Sequence, residues 1–241
     1  MPGEGRGRRG LRWEAALALL ERRTHLKPGD TVLYNIVLAA CGKGPGLSAQ
    51  AHRWLLALSL LNAMSRRALA PDVFSYGACI DACVKGGAWH SGLALWHSMA
   101  KAEIRPNVVT CTSAVSACGR GRRWEAALAL LHAVPRLLVR ASAWTYNAAV
   151  GACASARRWA VALAVIFDMR RSRIEPDVVT YAAAAGACDS PQTWRASLAL
   201  LGELRLAGIA GDAVVFSAAG SALERASLWR RALVVLLGDM A

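Results

Sequence analysis

Asn35, Thr112, Asn147 and Ser217 each follow directly on a bulky or soft apolar residue, Tyr34, Cys111, Tyr146 and Phe216. An α-helix turns about 100° per residue, so a short polar side chain one step beyond a buried one faces a flank of the helix, where its amide or hydroxyl can donate and accept hydrogen bonds. That is the chemistry of recognising a polar edge, not of making or breaking a bond, and plain solvation would place the same residue types there. A second polar set, Asp72, Asn107, Ser142, Asp177 and Asp212, stands immediately before apolar runs. These are the residue types that cap helix N-termini, so capping alone would explain them.

The residues that could carry a reaction are arranged for none. His25, His52, His90, His97 and His132 are dispersed, none opens an H-x-E motif, and no nucleophile elbow, phosphate loop or paired-carboxylate motif occurs. Seven cysteines contain no C-x2-C pair, and Cys79 and Cys83, four apart, lack histidine partners. No catalysis, metal or cofactor is expected, and the cysteines are read as reduced, buried thiols.

The elements that must position these groups are fixed by a period. Trp54, Trp89, Trp124, Trp159, Trp194 and Trp229 stand 35 residues apart, and Cys83, Cys118, Cys153 and Cys188 keep the same interval, each six residues before a tryptophan. RWEAALALL occurs at 12–20 and again at 123–131. A fixed period of this size signals a stacked array in which each unit buries its apolar face on the next. The units run 31–72, with seven inserted residues in GKGPGLSAQAHRW, then 73–107, 108–142, 143–177 and 178–212. They are flanked by partial units at 1–30 and 213–241, so the chain is read as a fragment or an incomplete gene model.

Each unit holds two helices. Apolar residues recur at unit positions 4, 7, 8 and 11 in the first, for example Tyr34, Val37, Leu38 and Cys41. In the second they recur at i, i+3, i+4 and i+7 from the tryptophan, with a small residue always at i+3, as close helix contact requires. Counting an orphan helix at about 11–23, thirteen helices are expected in a right-handed α-solenoid. The tryptophans are expected to fill the seam between helices, and Pro135 to kink or end its helix early.

Composition narrows the partners. Lys and Arg number 29 against 16 acidic residues, a net charge of +13, with much of the excess in turns such as RGRR at 120–123. This suits a polyanion, although arginines that only solvate an apolar solenoid would give the same balance. The longest apolar runs, such as WAVALAVIF at 159–167, are too short to cross a bilayer. Residues 1–10, MPGEGRGRRG, form neither a secretory signal nor a good transit peptide.

PDVVTY at 176–181, PDVFSY at 71–76, PNVVTC at 106–111, the ACGKG and ACGRG strings closing first helices and RRWEAALALL opening a second resemble the pentatricopeptide repeat family across essentially the whole chain. The inserted residues, the Pro135 unit and the absence of an appended domain depart from its pattern. The resemblance implies single-stranded RNA binding at one base per repeat. The base edge would be read by residues at position 5 and the last position of each unit: Asn35 with Asp72, Gly77 with Asn107, Thr112 with Ser142, Asn147 with Asp177, and Ala182 with Asp212, with Ser217 left unpaired. Position 2, held by Val32, Phe74, Val109, Trp144, Val179 and Val214, would sandwich the base, although apolar residues there could equally be ordinary core. Position 13, held by Lys43, Lys85, Arg120 and Arg225 but by Ser155 and Ser190 in two units, would approach phosphates. The implied ligand, 5′ to 3′, is U, A or C, a purine, U, then G or U, with nothing for Gly77 and Ala182 to bond. Action as a monomer in a mitochondrion or chloroplast is the setting the resemblance suggests. The competing reading is a helical-repeat scaffold that holds protein segments in its concave groove.

Overall fold

The computed structural model describes residues 31–42, 47–188, 194–206, 217 and 221. Every regular element among them is helical: α1 (Thr31–Cys41), α2 (Leu47–Arg66), α3 (Val73–Lys85), α4 (Trp89–Lys101), α5 (Val108–Arg120), α6 (Trp124–Ala133), a 3-10 turn (Val134–Leu137), α7 (Ala143–Ser155), α8 (Trp159–Arg171), α9 (Val178–Ala187) and α10 (Trp194–Leu206). The orphan helix at 11–23 and most of the pair from Ala213 on lie outside the described residues.

The chain forms two compact units, 1–117 and 118–241. Within the first, α1 packs on α2 and on α3, α2 on α3, and α3 on α4. Within the second, α6 packs on α7, α7 on α8 and α9, α8 on α9, and α9 on α10. From α1 to α4 in the first unit and from α6 to α10 in the second, each helix thus meets its successor, and first helices meet first helices (α1 with α3, α7 with α9), which is the α-solenoid mode of stacking. The apolar stripe of the first helices makes this possible: Tyr34, Val37 and Leu38 are wholly buried and Cys41 nearly so. Buried phenols need a partner. Tyr34 Oη accepts from Arg67 at 2.8 Å, Tyr181 Oη from Arg170 at 2.6 Å, and Tyr146 Oη meets Ser172 Oγ at 2.9 Å.

The second helices pack differently from the expectation. Trp54, Trp89 and Trp124 are only half-buried and Trp159 is 37% exposed, so these four do not fill the seam, although Trp89 packs along the edge of the buried Ile80, Val84 and Ala117; the side chains of Trp194 and Trp229 lie outside the described residues. Trp89, Trp124 and Trp159 open their helices, where a ring lies over the turn at the rim: Trp89 stacks on His90 and Arg158 sits 4.8 Å over Trp124. The seam belongs to the residue three positions on, Ala57, Gly92, Ala127 and Ala162, and to the one ten positions on, Met64, Met99, Val134 and Met169, all buried. The small residue admits close approach, since a Cβ added to Gly92 would meet Cys83 Cβ at 3.6 Å and Ala117 Cβ at 3.8 Å. Pro135 ends α6 at Ala133, and the chain continues as the 3-10 turn that still delivers Val134 to the core.

The shared interval of cysteine and tryptophan has a backbone cause. The carbonyls of Cys83, Cys118 and Cys153 accept from the N–H of Ala88, Arg123 and Arg158 at 2.8–2.9 Å, closing each first helix one residue before the tryptophan that opens the next. The turn needs a left-handed residue in its middle. Gly87 supplies one at φ 79°, but Arg122 and Arg157 take the same conformation at 53° and 55°. A left-handed non-glycine residue costs about 1 kcal/mol or more. Arg157→Gly is therefore expected to raise stability by about 0.5–1 kcal/mol, read as a higher denaturant midpoint at unchanged slope; a lower midpoint would show that the arginine is held there by contacts that outweigh its strain.

Candidate nucleic-acid interface

The first turn of each first helix presents an apolar side chain to solvent. Val32 is 63% exposed, Phe74 66%, Val109 63%, Trp144 72% and Val179 53%. The alternative that position 2 is ordinary core is thereby excluded at these five positions, while Val214 lies outside the described residues. Water-facing apolar groups repeated once per helix pair gain less from folding than core residues and are the residue type that stacks on a planar ligand.

Beside this row, the polar residues of positions 5 and 35 meet in two repeats. Asn35 Nδ2 donates to the two carboxylate oxygens of Asp72 at 3.2 and 3.1 Å. Asn147 Nδ2 does the same to Asp177 at 3.1 and 3.3 Å. The aspartates also cap their helices, accepting the N–H of Ser75 at 2.8 Å and of Thr180 at 2.9 Å, so capping and facing Asn are roles of one carboxylate. Asn107 caps α5 through Thr110 N–H, and Ser142 caps α7 through Thr145 N–H. Gly77 brings no side chain, and a Cβ there would meet Thr110 Cγ2 at 3.1 Å. Thr112 Oγ1 donates to the Val108 carbonyl at 2.7 Å. Ala182 is half-buried and Ser217 exposed; Asp212 lies outside the described residues.

In the first unit these groups share one open groove of about 600 Å³. Its walls carry Val32, Phe74 and Val109 together with Asn35, Asp72, Gly77 and Asn107, and Ile36, Ala39 and Asp81 extend it along the helices. Asp81 is a residue the sequence reading passed over. It lies one helical turn beyond Gly77 on the same face, and that spacing was the available signal. Of the position 13 set, Lys43 and Arg225 lie outside the described residues and Arg120 is exposed. Lys85 Nζ is 2.6 Å from Asp81 Oδ2, so its charge is shared with an acid on its own helix. Neutralising that acid is expected to strengthen binding of a polyanion. For a polyanionic occupant of the groove, single-stranded RNA being the probe, Asp81→Asn should improve affinity about two- to fivefold at low salt, the scale of a half-exposed ion pair, as titrated by fluorescence anisotropy; weaker binding would make Asp81 a ligand contact instead.

Burial of the Asp177 carboxyl raises its pKa, but hydrogen bonds from Thr180, through backbone and hydroxyl, from the Asn147 amide and from the Val179 N–H outweigh it and hold the group below the ordinary carboxylate range. A folded-state pKa lower than the unfolded one contributes stability that is complete above the unfolded value and is lost as pH falls through the folded value. Thermal stability should therefore hold to about pH 5 and decline below about pH 4, with Asp177→Asn removing part of the decline; an unchanged acid limb would mean the network adds no stability. Burial pushes the thiols of Cys83, Cys111, Cys153 and Cys188 up to about 11, so they stay protonated near neutrality. Among the described residues no group of three or more His, Cys, Asp or Glu is placed to hold a metal ion, and no helix is long and apolar enough to cross a membrane.

Comparison with known proteins bears on the repeats themselves. The model of the PPR repeat family matches residues 71–120, that of the pentatricopeptide repeat domain residues 129–190, and that of the PPR repeat residues 109–136. None of the curated proteins matches the chain. Among solved structures, the pentatricopeptide repeat protein PPR10 in complex with an 18-nt psaJ RNA element is 26% identical with a TM-score of 0.65, the match covering 96% of this chain and 31% of that one. PPR10 from maize, 22% identical over 96% of this chain and 38% of that one, shares the fold with a TM-score of 0.65. So does the PPR domain of Arabidopsis thaliana protein-only RNase P 1 in complex with tRNA, 17% identical over 85% of this chain and all of that one, again with a TM-score of 0.65. The chain spans about a third of the length of the PPR10 structures. The repeat period, the stacked helix pairs and the three family models covering 71–190 agree: the chain belongs to the pentatricopeptide repeat family.

Proposed function

We propose that the chain binds single-stranded RNA sequence-selectively, one base per repeat, without catalysis of its own. Each of 31–72, 73–107, 108–142, 143–177 and 178–212 acts as one reading module. A base lies between successive position 2 side chains, and the residues at positions 5 and 35 meet its edge. The observation that carries this is the groove in which the exposed Val32, Phe74 and Val109 alternate with Asn35, Asp72 and Asn107. Apolar walls suit the faces of a base, and amides and carboxylates suit its Watson–Crick edge. The net charge of +13 suits the phosphates and weighs against an acid-poor peptide as occupant. The psaJ RNA held by PPR10 supports the same ligand class.

The test is retardation of the full chain by single-stranded RNA, set against single-stranded DNA of the same sequence and a mixed peptide pool. RNA is expected to bind, with a log-log salt slope of about −3 if four cations each release a counterion at ~0.7 per contact. Preferential capture of peptides would favour the scaffold reading. The expected setting, a monomer in a mitochondrion or chloroplast, rests on family membership and is tested by sizing the free protein and imaging a tagged chain.

A further inference from the structure

We infer that Ser75 and Thr180, at the third position of their repeats, are positioning residues for base recognition: each hydroxyl holds the asparagine amide of the preceding repeat in one of its two senses. The inference rests on the base-reading proposal and adds residues to it. Ser75 Oγ donates to Asn35 Oδ1 at 2.6 Å, and Thr180 Oγ1 donates to Asn147 Oδ1 at 2.6 Å. In both repeats the other end of the same amide donates to the aspartate carboxylate, so hydroxyl, amide and carboxylate close a triangle. Among the described residues it forms once in each compact unit. Each hydroxyl also lies within 3.0 Å of its aspartate Oδ1, but a hydroxyl has one proton, and the shorter contact is to the amide. Ser75 and Thr180 have no exposed surface, so water does not replace them.

The aim of the hydroxyl follows the amide. Thr110 occupies the same position, but the repeat before it has Gly77 in place of asparagine, and Thr110 Oγ1 donates instead to its own Asn107 carbonyl at 2.9 Å. Helix capping is common to all three residues; the bond to the amide occurs at Ser75 and Thr180.

The consequence is chemical selectivity. An asparagine amide has nearly the same shape after a half-turn, but the turn exchanges donor and acceptor. Uracil presents its O4 acceptor beside an N3–H donor, which an amide N–H beside a carboxylate oxygen complements. Cytosine presents an N4 amino donor beside a bare N3 acceptor, which suits the turned amide. By occupying Oδ1, the hydroxyl holds the amide in the sense that favours uracil, and the carboxylate alone holds it less firmly.

The experiment measures binding of the full chain to two oligonucleotides, 5′-UAAUG-3′ and 5′-UAACG-3′ in identical flanks, which differ at the base assigned to Asn147 and Asp177. Thr180→Val is expected to lower the uracil-to-cytosine preference by about three- to tenfold, the worth of one net hydrogen bond, while both RNAs still bind. Thr180→Ser, which keeps the hydroxyl, should restore the wild-type ratio. If Thr180→Val does not fold, Ser75→Ala read at the first base gives the same test in the other unit. An unchanged ratio in a folded Thr180→Val protein, or equal loss in Thr180→Ser, overturns the positioning role and leaves base reading intact. A wild-type chain that shows no preference between the two RNAs overturns both.

Discussion

An RNA in which the bases facing Asn35 with Asp72 and Asn147 with Asp177 are both changed from uracil to adenine is expected to bind about a hundredfold more weakly than the parent. Each pair is a preformed donor and acceptor, joined at 3.1–3.3 Å and anchored by a helix cap, so little order remains to be imposed when a base arrives. A base that matches two hydrogen-bonding groups is discriminated from one that does not by about 1–3 kcal/mol. The pairs lie in different compact units, so their contributions should add. Adenine presents an amino donor where uracil presents O4, leaving the amide N–H facing another donor. Competition titrations at fixed salt measure the effect, and equal affinity for the two RNAs would refute edge reading while leaving stacking and phosphate contacts possible.

The largest expected effect on stability falls on a methionine. Met169 has no exposed surface, sits ten residues after the tryptophan of its repeat, and its carbonyl accepts the N–H of Ile174 that closes α8. Met169→Ala removes buried apolar volume at the seam and should cost about 2–5 kcal/mol. Trp159→Ala, at a ring 37% exposed on the helix rim, should cost less than half as much despite its larger side chain. Urea denaturation of the two variants decides between them. A larger loss from Trp159→Ala would return the seam to the tryptophans.

Much of this architecture is legible in the residues themselves. Period 35 is set by turns that close on Cys83, Cys118 and Cys153 and reopen at tryptophan, so two residue types report one backbone bond. The stripe Tyr34, Val37, Leu38, Cys41 marks a buried face by spacing alone, and the small residues Ala57, Gly92, Ala127 and Ala162 mark a close approach. The tryptophans misled because their regularity resembles that of a core, whereas a residue at the start of a helix can be regular for reasons of the turn. Burial of an aromatic side chain depends on which helix lies across it, and periodicity carries no information about that.

The site was legible to a different degree. That Asn35 and Asp72 occupy corresponding ends of a repeat is visible in the sequence, but the two uses of the aspartate, capping its own helix and meeting the amide of another, emerge only when α1 and α3 lie side by side. Position 2 was ambiguous because an apolar residue in a first turn suits core and ligand equally; exposures from 53% to 72% decide against the core. Asp81 was missed because its importance comes from Gly77, whose lack of a side chain opens the groove down to the next turn. Ser75 and Thr180 read as ordinary cap partners, and only the 2.6 Å contact to the asparagine reveals a second role.

The most direct test is selection of bound RNAs from a random pool by the wild-type chain and by Asn147→Thr in parallel. Wild type is expected to enrich RNAs with uracils three bases apart, and Asn147→Thr to exchange the second uracil for a purine while keeping the first. Enrichment of the same motif by both proteins, or of none, would contradict reading of one base by each repeat.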